Sequence, residues 1–183
     1  MVPRRPSIVA ACLIAFVSTV AFVGCNDKKQ GVDEPAREGL SLPLGGIDYN
    51  VFITRELNPD IPPDNAYYSG PPAPKGETLY GIFIQACNHS NSPRTPASNF
   101  SVKDNQDNTY QPVDLPTDNP FAYHPRRLDP DQCIPQAGSV AQLGPSAGAL
   151  LVFRFPLATT ENRPLELVIE DSRAERLTFE LDI

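Results

Sequence analysis

The chain has 183 residues, with 15 lysines and arginines against 22 aspartates and glutamates, which gives a formal net charge of −7. This acidic balance argues against a nucleic-acid partner and against electrostatic docking on anionic lipid, because both interactions need clustered basic residues. The 21 prolines and the lack of a helical period of useful length indicate a protein built mainly from strands.

Residues 1–24 predict an export signal peptide. Arg4 and Arg5 form its positively charged start, and an apolar run over residues 8–23 follows. The run is shorter than the roughly 20 residues that a membrane-spanning helix needs. An uncleaved N-terminal anchor and a signal cut at another position are the alternatives.

The apolar run ends on Ala21-Phe22-Val23-Gly24-Cys25, which resembles the lipobox of bacterial lipoproteins. The resemblance implies cleavage after Gly24 and a diacylglyceryl thioether on Cys25, although Phe22 replaces the usual leucine. Two or three acyl chains hold a protein stably on a bilayer, whereas a single chain binds only marginally. We therefore predict a lipid anchor on Cys25 that holds the protein at the cell membrane, facing the extracytoplasmic side.

Residues 25–45 predict the lipidated cysteine and a flexible tether, because charged residues and a proline are mixed there without an apolar period. Leu40, Leu42 and Leu44 predict a short edge strand where this tether meets the following domain.

Residues 46–183 predict one domain, an immunoglobulin-like antiparallel β-sandwich of seven or eight short strands joined by long loops. The predicted strands cover residues 47–54, 78–87, 99–103, 109–113, 139–143, 149–157, 165–169 and 177–183. Both faces of the segment 78–87 are apolar, which is typical of a central strand.

Two of the four cysteines belong to the exported domain, since Cys12 lies in the signal and Cys25 would carry the lipid. Cys87 and Cys133 predict a disulfide, because exported proteins fold in an oxidising compartment. Two buried free thiols are the alternative. Metal ligation is disfavoured because neither cysteine has a CxxC partner or a nearby pair of histidines.

The catalytic motifs in the sequence are weak, and we predict no catalytic residues. Residues 144–148 match G-x-S-x-G, but a strand is predicted after the serine instead of a helix, and no histidine follows His124. His89 and His124 are the only histidines, and both lie in predicted loops.

No cofactor or metal site is predicted either. We interpret the acidic run 104–108 as a hairpin turn, and a calcium site is the alternative interpretation. It lacks EF-hand spacing, because Thr109 stands where a glycine belongs and Leu115 stands where the bidentate glutamate belongs.

Two long proline-rich loops, 58–76 and 115–133, predict a surface that binds a protein partner. They exceed the length usual between strands, and unstructured loops beyond about 12–15 residues tend to be functional or disordered. The candidate contacts are aromatic residues and arginines, the types enriched at binding hot spots: Tyr67, Tyr68, Phe121, Tyr123, Arg126 and Arg127. The alternative is that these side chains cover the ends of the sandwich.

Four sequence features together resemble the domain of unknown function 4352 family, which comprises bacterial secreted and lipoprotein domains. They are the apolar strand that ends in Asn88, the segments 100–104 and 108–110, the segments 135–139 and 151–156, and the strand 165–169. The resemblance covers residues 46–183 and implies an immunoglobulin-like fold with no assigned activity. Some members of the family are thought to bind proteins.

These features together predict a lipid-anchored, non-catalytic binding or envelope-accessory protein that engages an extracytoplasmic protein partner. A small-ligand binding protein with a pocket in the sandwich is the alternative, and a hydrolase is the third possibility.

The lipid anchor gives a direct prediction. Cys25→Ala removes the thiol that would carry the diacylglyceryl group, so we expect unprocessed precursor or released protein in cell fractions. Membrane fractionation and intact-protein mass spectrometry test this expectation. A Cys25→Ala chain that is processed and stays with the membranes like the wild type would show that Cys25 is not the anchor.

Overall fold

The computed structural model describes residues 28–183, so the predicted signal peptide and Cys25 lie outside the described residues. Within this range no helix is long and apolar enough to cross a bilayer. The strands are β1 Ala36–Arg37, β2 Ser41–Leu44, β3 Ile47–Leu57, β4 Glu77–Cys87, β5 Asn99–Lys103, β6 Thr109–Tyr110, β7 Pro112–Val113, β8 Cys133–Ile134, β9 Ala149–Pro156, β10 Glu166–Glu170 and β11 Arg176–Glu180. The helical segments are α1 Asp64–Tyr67, α2 Val140–Leu143 and a 3₁₀ turn at Leu157–Glu161.

The strands form two sheets that pack face to face. One sheet has the order β1-β11-β10-β5-β6, and the other has the order β2-β3-β4-β9-β7 with β8 paired to β4. All strand pairs in the described range are antiparallel except β1 with β11. Seven of these strands have four or more residues, which confirms the predicted all-β sandwich.

The strand β4 is central, as its two apolar faces predict. It pairs with β3 along one edge and with β9 and β8 along the other. Tyr80, Ile82 and Ile84 face the other sheet in the main core, whereas Leu79 and Phe83 belong to a second apolar cluster. Side chains alternate between the two faces of a strand, so this one strand supplies both clusters.

The two long loops cover the outer face of the β4 sheet. Tyr67 from the first loop packs edge-to-face on Phe83 with ring centroids 5.1 Å apart, and on Phe121 from the second loop at 4.8 Å. Asn119 Nδ2 also donates to the Tyr67 carbonyl at 2.8 Å, which ties the loops to each other. These loops form a second hydrophobic core and are not open presentation loops.

The predicted tether is wrong over its second half. Ala36 is fully buried and β1 runs parallel to β11, while β2 pairs with β3. The Thr178 N–H donates to the Gly31 carbonyl at 2.8 Å, so the folded domain already includes Gly31. The short edge strand predicted from Leu40, Leu42 and Leu44 is present as β2 at the edge of its sheet. The strand β1 was missed because it has only two residues, of which one is buried, within a segment of mixed composition.

Two smaller predictions also need correction. Residues 140–143 form α2 and not a strand, and the Ser139 hydroxyl caps the helix by accepting from the Gln142 N–H at 3.3 Å. The predicted strand 109–113 is divided between the sheets: β6 pairs with β5, and β7 pairs with β9. Pro112 lies in the edge strand β7, where the loss of an N–H donor is tolerated.

The predicted Cys87–Cys133 disulfide is present and joins the end of β4 to β8. It closes a span of 46 residues. The chain-entropy model assigns about 4 kcal/mol of stabilisation to a loop of this size.

The second core predicts that Tyr67 contributes to stability. Tyr67→Ala leaves a cavity against Phe83 and Phe121, so we expect the free energy of unfolding to fall by about 3–5 kcal/mol in urea titrations. Leu143→Ala is the control, because Leu143 is 75% exposed and its truncation should change stability by less than about 0.5 kcal/mol. Equal, small effects of the two substitutions would contradict a structural role for the first loop.

Candidate functional site

One end of the sandwich gathers four connections, and we call it the Cys87 end. The strand register places the Gly45-Gly46 turn, the segment 88–98, the segment 126–132 and the turn 171–175 there. Loops that meet at one end of a rigid sandwich are a common place for binding residues.

Asn88 joins two of these segments, 88–98 and 126–132. Its side-chain Nδ2 donates to the carbonyls of Ser92 and Leu128 at 2.9 and 3.0 Å, and its Oδ1 accepts from the Ser90 N–H at 3.0 Å. The Asn88 N–H donates to the Gln132 carbonyl, and the Asn88 carbonyl accepts from the Asp131 N–H. Asn88 is fully buried, so it holds the connections at this end in one arrangement.

Two buried tyrosines hold the segment before β5. The Tyr49 hydroxyl accepts from the Ala97 N–H at 2.6 Å, and the Tyr123 hydroxyl donates to the Ala97 carbonyl at 3.0 Å. Burial raises the pKa of Tyr49 to about 12, although the hydrogen bond from Ala97 lowers it, and burial raises the pKa of Tyr123 well above its usual value. Both hydroxyls therefore stay protonated near neutral pH and act as structural groups.

Three exposed arginines lie at the Cys87 end: Arg94, Arg126 and Arg127. The backbone of Arg94 pairs with Leu128 through reciprocal hydrogen bonds of 2.9 and 2.7 Å, which brings Arg94 beside the other two. None of the ion pairs within residues 28–183 involves any of the three. The Arg126 guanidinium donates instead to Gln132 Oε1 and to the Cys133 carbonyl.

A polar cavity of about 660 Å³ opens between the Gly45-Gly46 turn and the segment 93–99. Charged side chains of both signs line it, including Arg94, Asp171 and Arg173. Arg173 is ion-paired to Asp171 at 3.1 Å. The cavity lies at the end of the sandwich, so it does not match the apolar pocket expected for the small-ligand alternative.

The structure separates the six predicted partner-binding residues into two groups. Tyr67, Tyr68 and Tyr123 are only 0%, 4% and 7% exposed, and Phe121 is half-buried in the second core. Such tyrosines cannot present contact area to a partner, so the prediction is wrong for them: their apolar rings cover the sheets. Arg126 and Arg127 are exposed.

The residues considered for catalysis or metal binding lie in exposed loops or in a turn. His89 and His124 are exposed, and Ser146 lies between α2 and β9, with its N–H donating to the Tyr67 hydroxyl. A nucleophile elbow has the opposite order, with a strand before the serine and a helix after it. Within residues 28–183 no group of three metal-ligating side chains comes together.

Asp104 serves as the acceptor of the β5–β6 turn. Its carboxylate accepts from the N–H groups of Gln106 and Asn108, from the Asn108 amide and from the Tyr110 hydroxyl. Burial acts against ionisation, but these hydrogen bonds outweigh it and lower the pKa of Asp104. A hairpin turn therefore accounts for the acidic run 104–108.

The sequence analysis did not identify Asn88 as the residue that joins the loops, or Arg94 as a member of the arginine group. The available signal for Asn88 was its position directly after an apolar strand, where a polar residue often ends the strand. Nothing in the local sequence of Arg94 pointed to Arg126 and Arg127, because 32 residues separate Arg94 from Arg126 along the chain and only the loop pairing brings them together.

We predict that Asn88→Ala destabilises the whole Cys87 end. It removes the side-chain hydrogen bonds of Asn88 to the Leu128 and Ser92 carbonyls and from Ser90, so the free energy of unfolding should fall by about 2–4 kcal/mol. Urea titration measures the loss, and faster limited proteolysis within residues 88–98 reports local loosening. Asn99→Ala is the matched control, because Asn99 is exposed and bonds only Glu170 through its side chain. A loss no larger than that of the control would refute this role of Asn88.

Comparison with known proteins supports the fold alone. No family model matches the chain, and no curated protein matches it. Among solved structures, a "putative lipoprotein" (ycdA) from Bacillus subtilis is similar with a TM-score of 0.50 at 13% identity, over 78% of this chain. The match spans 38% of that longer protein.

Two further solved structures are similar over most of their length. An uncharacterized β-sandwich protein from Clostridium difficile 630 gives a TM-score of 0.49 at 14% identity, over 85% of this chain and 98% of that one. The yjhA protein from Bacillus subtilis gives 0.49 at 12% identity, over 80% and 99%. At these identities the family resemblance stays a prediction.

Proposed function

We propose that the protein is anchored through a lipid on Cys25 at the extracytoplasmic side of the cell membrane and binds another envelope protein without catalysis. The signal-like segment 1–24 and the lipobox-like residues before Cys25 support the location. The similar ycdA structure, described as a putative lipoprotein, is consistent with it.

The observation that carries the binding role is the group of exposed arginines at the Cys87 end. Arg94, Arg126 and Arg127 lie on loops that Asn88 and the disulfide hold in place. A surface that is already ordered loses less conformational entropy on binding, and this smaller loss favours affinity. Arginine is also the residue type best suited to carboxylates, because its planar fork donates two parallel hydrogen bonds.

The charge distribution indicates the chemistry of the partner. The chain as a whole is acidic, with a net charge of −7, yet this end carries three arginines outside any ion pair among residues 28–183. A carboxylate of the partner could pair with these arginines, whereas Asp129 and Asp131 on the same segment would repel a partner surface that is acidic throughout. Such complementarity orients the encounter and raises the association rate.

A crosslinking experiment in living cells tests the proposal. In one variant of the full chain a photo-reactive amino acid replaces Arg127. In a second variant it replaces Lys75, which precedes β4 at the opposite end of the sandwich. We expect a discrete crosslinked protein from position 127 that is missing from position 75. Equal products at both positions, or none at 127, would overturn binding at the Cys87 end.

Charge reversal shows whether the captured protein recognises the arginines. Arg126→Glu with Arg94→Glu, combined with the probe at 127, should reduce the crosslinked product at least about tenfold, the effect of losing roughly 1.4 kcal/mol. Lys75→Glu with Arg163→Glu makes the same change of net charge at the opposite end and should leave capture unchanged. Capture that both pairs reduce equally would reflect overall charge and would contradict the proposed site.

A further inference from the structure

A second cavity at the Cys87 end lies between the disulfide and α2. Its volume is about 320 Å³, and its lining includes Arg126, Asp131, Gln132, Cys133 and Gln142. The disulfide closes one side of this cavity, and Asn88 holds the backbone of the residues before Cys133. The part of the wall formed by residues 131–133 is therefore held in place before any ligand arrives.

Hydrogen bonds orient two of the glutamine amides in this lining. The Gln132 Oε1 accepts from the Asp129 N–H at 3.2 Å and from Arg126 Nη1 at 3.4 Å, and the Gln142 Oε1 accepts from the Gly138 N–H. Each amide carries one acceptor oxygen and one donor NH₂ group. Because both amide oxygens accept hydrogen bonds from the protein, the NH₂ groups are the atoms that could donate to a ligand.

Arg126 adds further donors at the same place. Its Nη2 donates to the Cys133 carbonyl at 3.2 Å, and its Nη1 donates to Gln132. A guanidinium has five N–H donors, so about three of them stay available after these two bonds. The two bonds also restrict the side chain, which lowers the entropic cost of using it in recognition.

The cavity also offers one acceptor and an apolar neighbour. Asp131 lines it, and the Asp131 N–H donates to the Asn88 carbonyl. Leu143 lies outside this lining but directly follows Gln142 in α2, and its side chain is 75% exposed. A ligand group that extends out of the cavity past Gln142 could therefore meet an exposed aliphatic side chain.

We infer that this cavity binds the C-terminal carboxylate of an extended peptide whose last side chain is apolar. The carboxylate bonds Arg126 and the two amide NH₂ groups, the peptide N–H bonds Asp131, and the last side chain packs on Leu143. An inorganic anion would satisfy the donors but leave Asp131 repelled. This inference rests on the proposed function, because it names the part of the envelope protein that the Cys87 end recognises.

Small-molecule mimics of a peptide end test the inference. The full chain, with ¹⁵N-labelled glutamine, is purified in detergent and titrated with N-acetyl-leucine, N-acetyl-leucinamide and N-acetyl-glycine. We expect saturable shifts of the Gln132 and Gln142 side-chain NH₂ resonances with N-acetyl-leucine. Binding should be at least about tenfold weaker for the leucinamide, which lacks the charged acceptor, since charge-assisted hydrogen bonds are the stronger ones.

Two variants separate the polar and apolar contributions. Arg126→Gln should remove the preference for the carboxylate over the amide, and Leu143→Ser should remove the preference for leucine over glycine. Leu143 is exposed, so its substitution leaves folding intact even where the arginine variant is less stable. Arg163→Gln, at the opposite end of the sandwich, is the control and should bind N-acetyl-leucine as the wild type does.

The results distinguish a failure of this inference from a failure of the proposed function. Equal binding of acid and amide, or no saturable shift with any of the three compounds, would overturn the carboxylate site. If capture from position 127 stayed arginine-dependent in that case, the proposed function would stand and only the inference would fall. Carboxylate-selective binding without any capture in cells would leave the site in place and refute the envelope-protein partner.

Discussion

The burial of β4 on both faces is the constraint on which the rest of the structure depends. One face meets the second sheet, but the other would expose Leu79 and Phe83 to water if the protein were only a two-layer sandwich. The loops 58–76 and 115–133 supply the missing cover, with Tyr67 between Phe83 and Phe121. Their length is therefore a consequence of hydrophobic burial, and their prolines limit the entropy lost when they settle on the sheet.

The end of β4 carries the disulfide at Cys87 and the buried polar side chain of Asn88. The disulfide links Cys87 to Cys133 in β8. The next residue, Asn88, donates hydrogen bonds to the segments 88–98 and 126–132. An unpaired buried amide would be costly, so each of these bonds depends on the others being made. The segments that carry Arg94, Arg126 and Arg127 are thereby fixed relative to the sheet.

This arrangement separates structural from recognition residues within the same loop. In the segment 121–128, Tyr123 and Leu128 point into the core, while Arg126 and Arg127 face solvent. The apolar members position the arginines, and the arginines have no ion pair among residues 28–183.

Sequence patterns by themselves determined the all-β class, the central place of residues 78–87, the cysteine pair and the solvent-exposed arginines, because each depends on local alternation or on compartment chemistry. They missed the strand β1 at Ala36–Arg37 and misassigned the tyrosines of the long loops. A two-residue strand has no detectable period, and an aromatic ring in a loop has the same local sequence whether it faces water or a sheet. Only the tertiary structure decided these cases, because the burial of Ala36 and Tyr67 depends on partners such as Phe179 and Phe83 that lie far away in the chain.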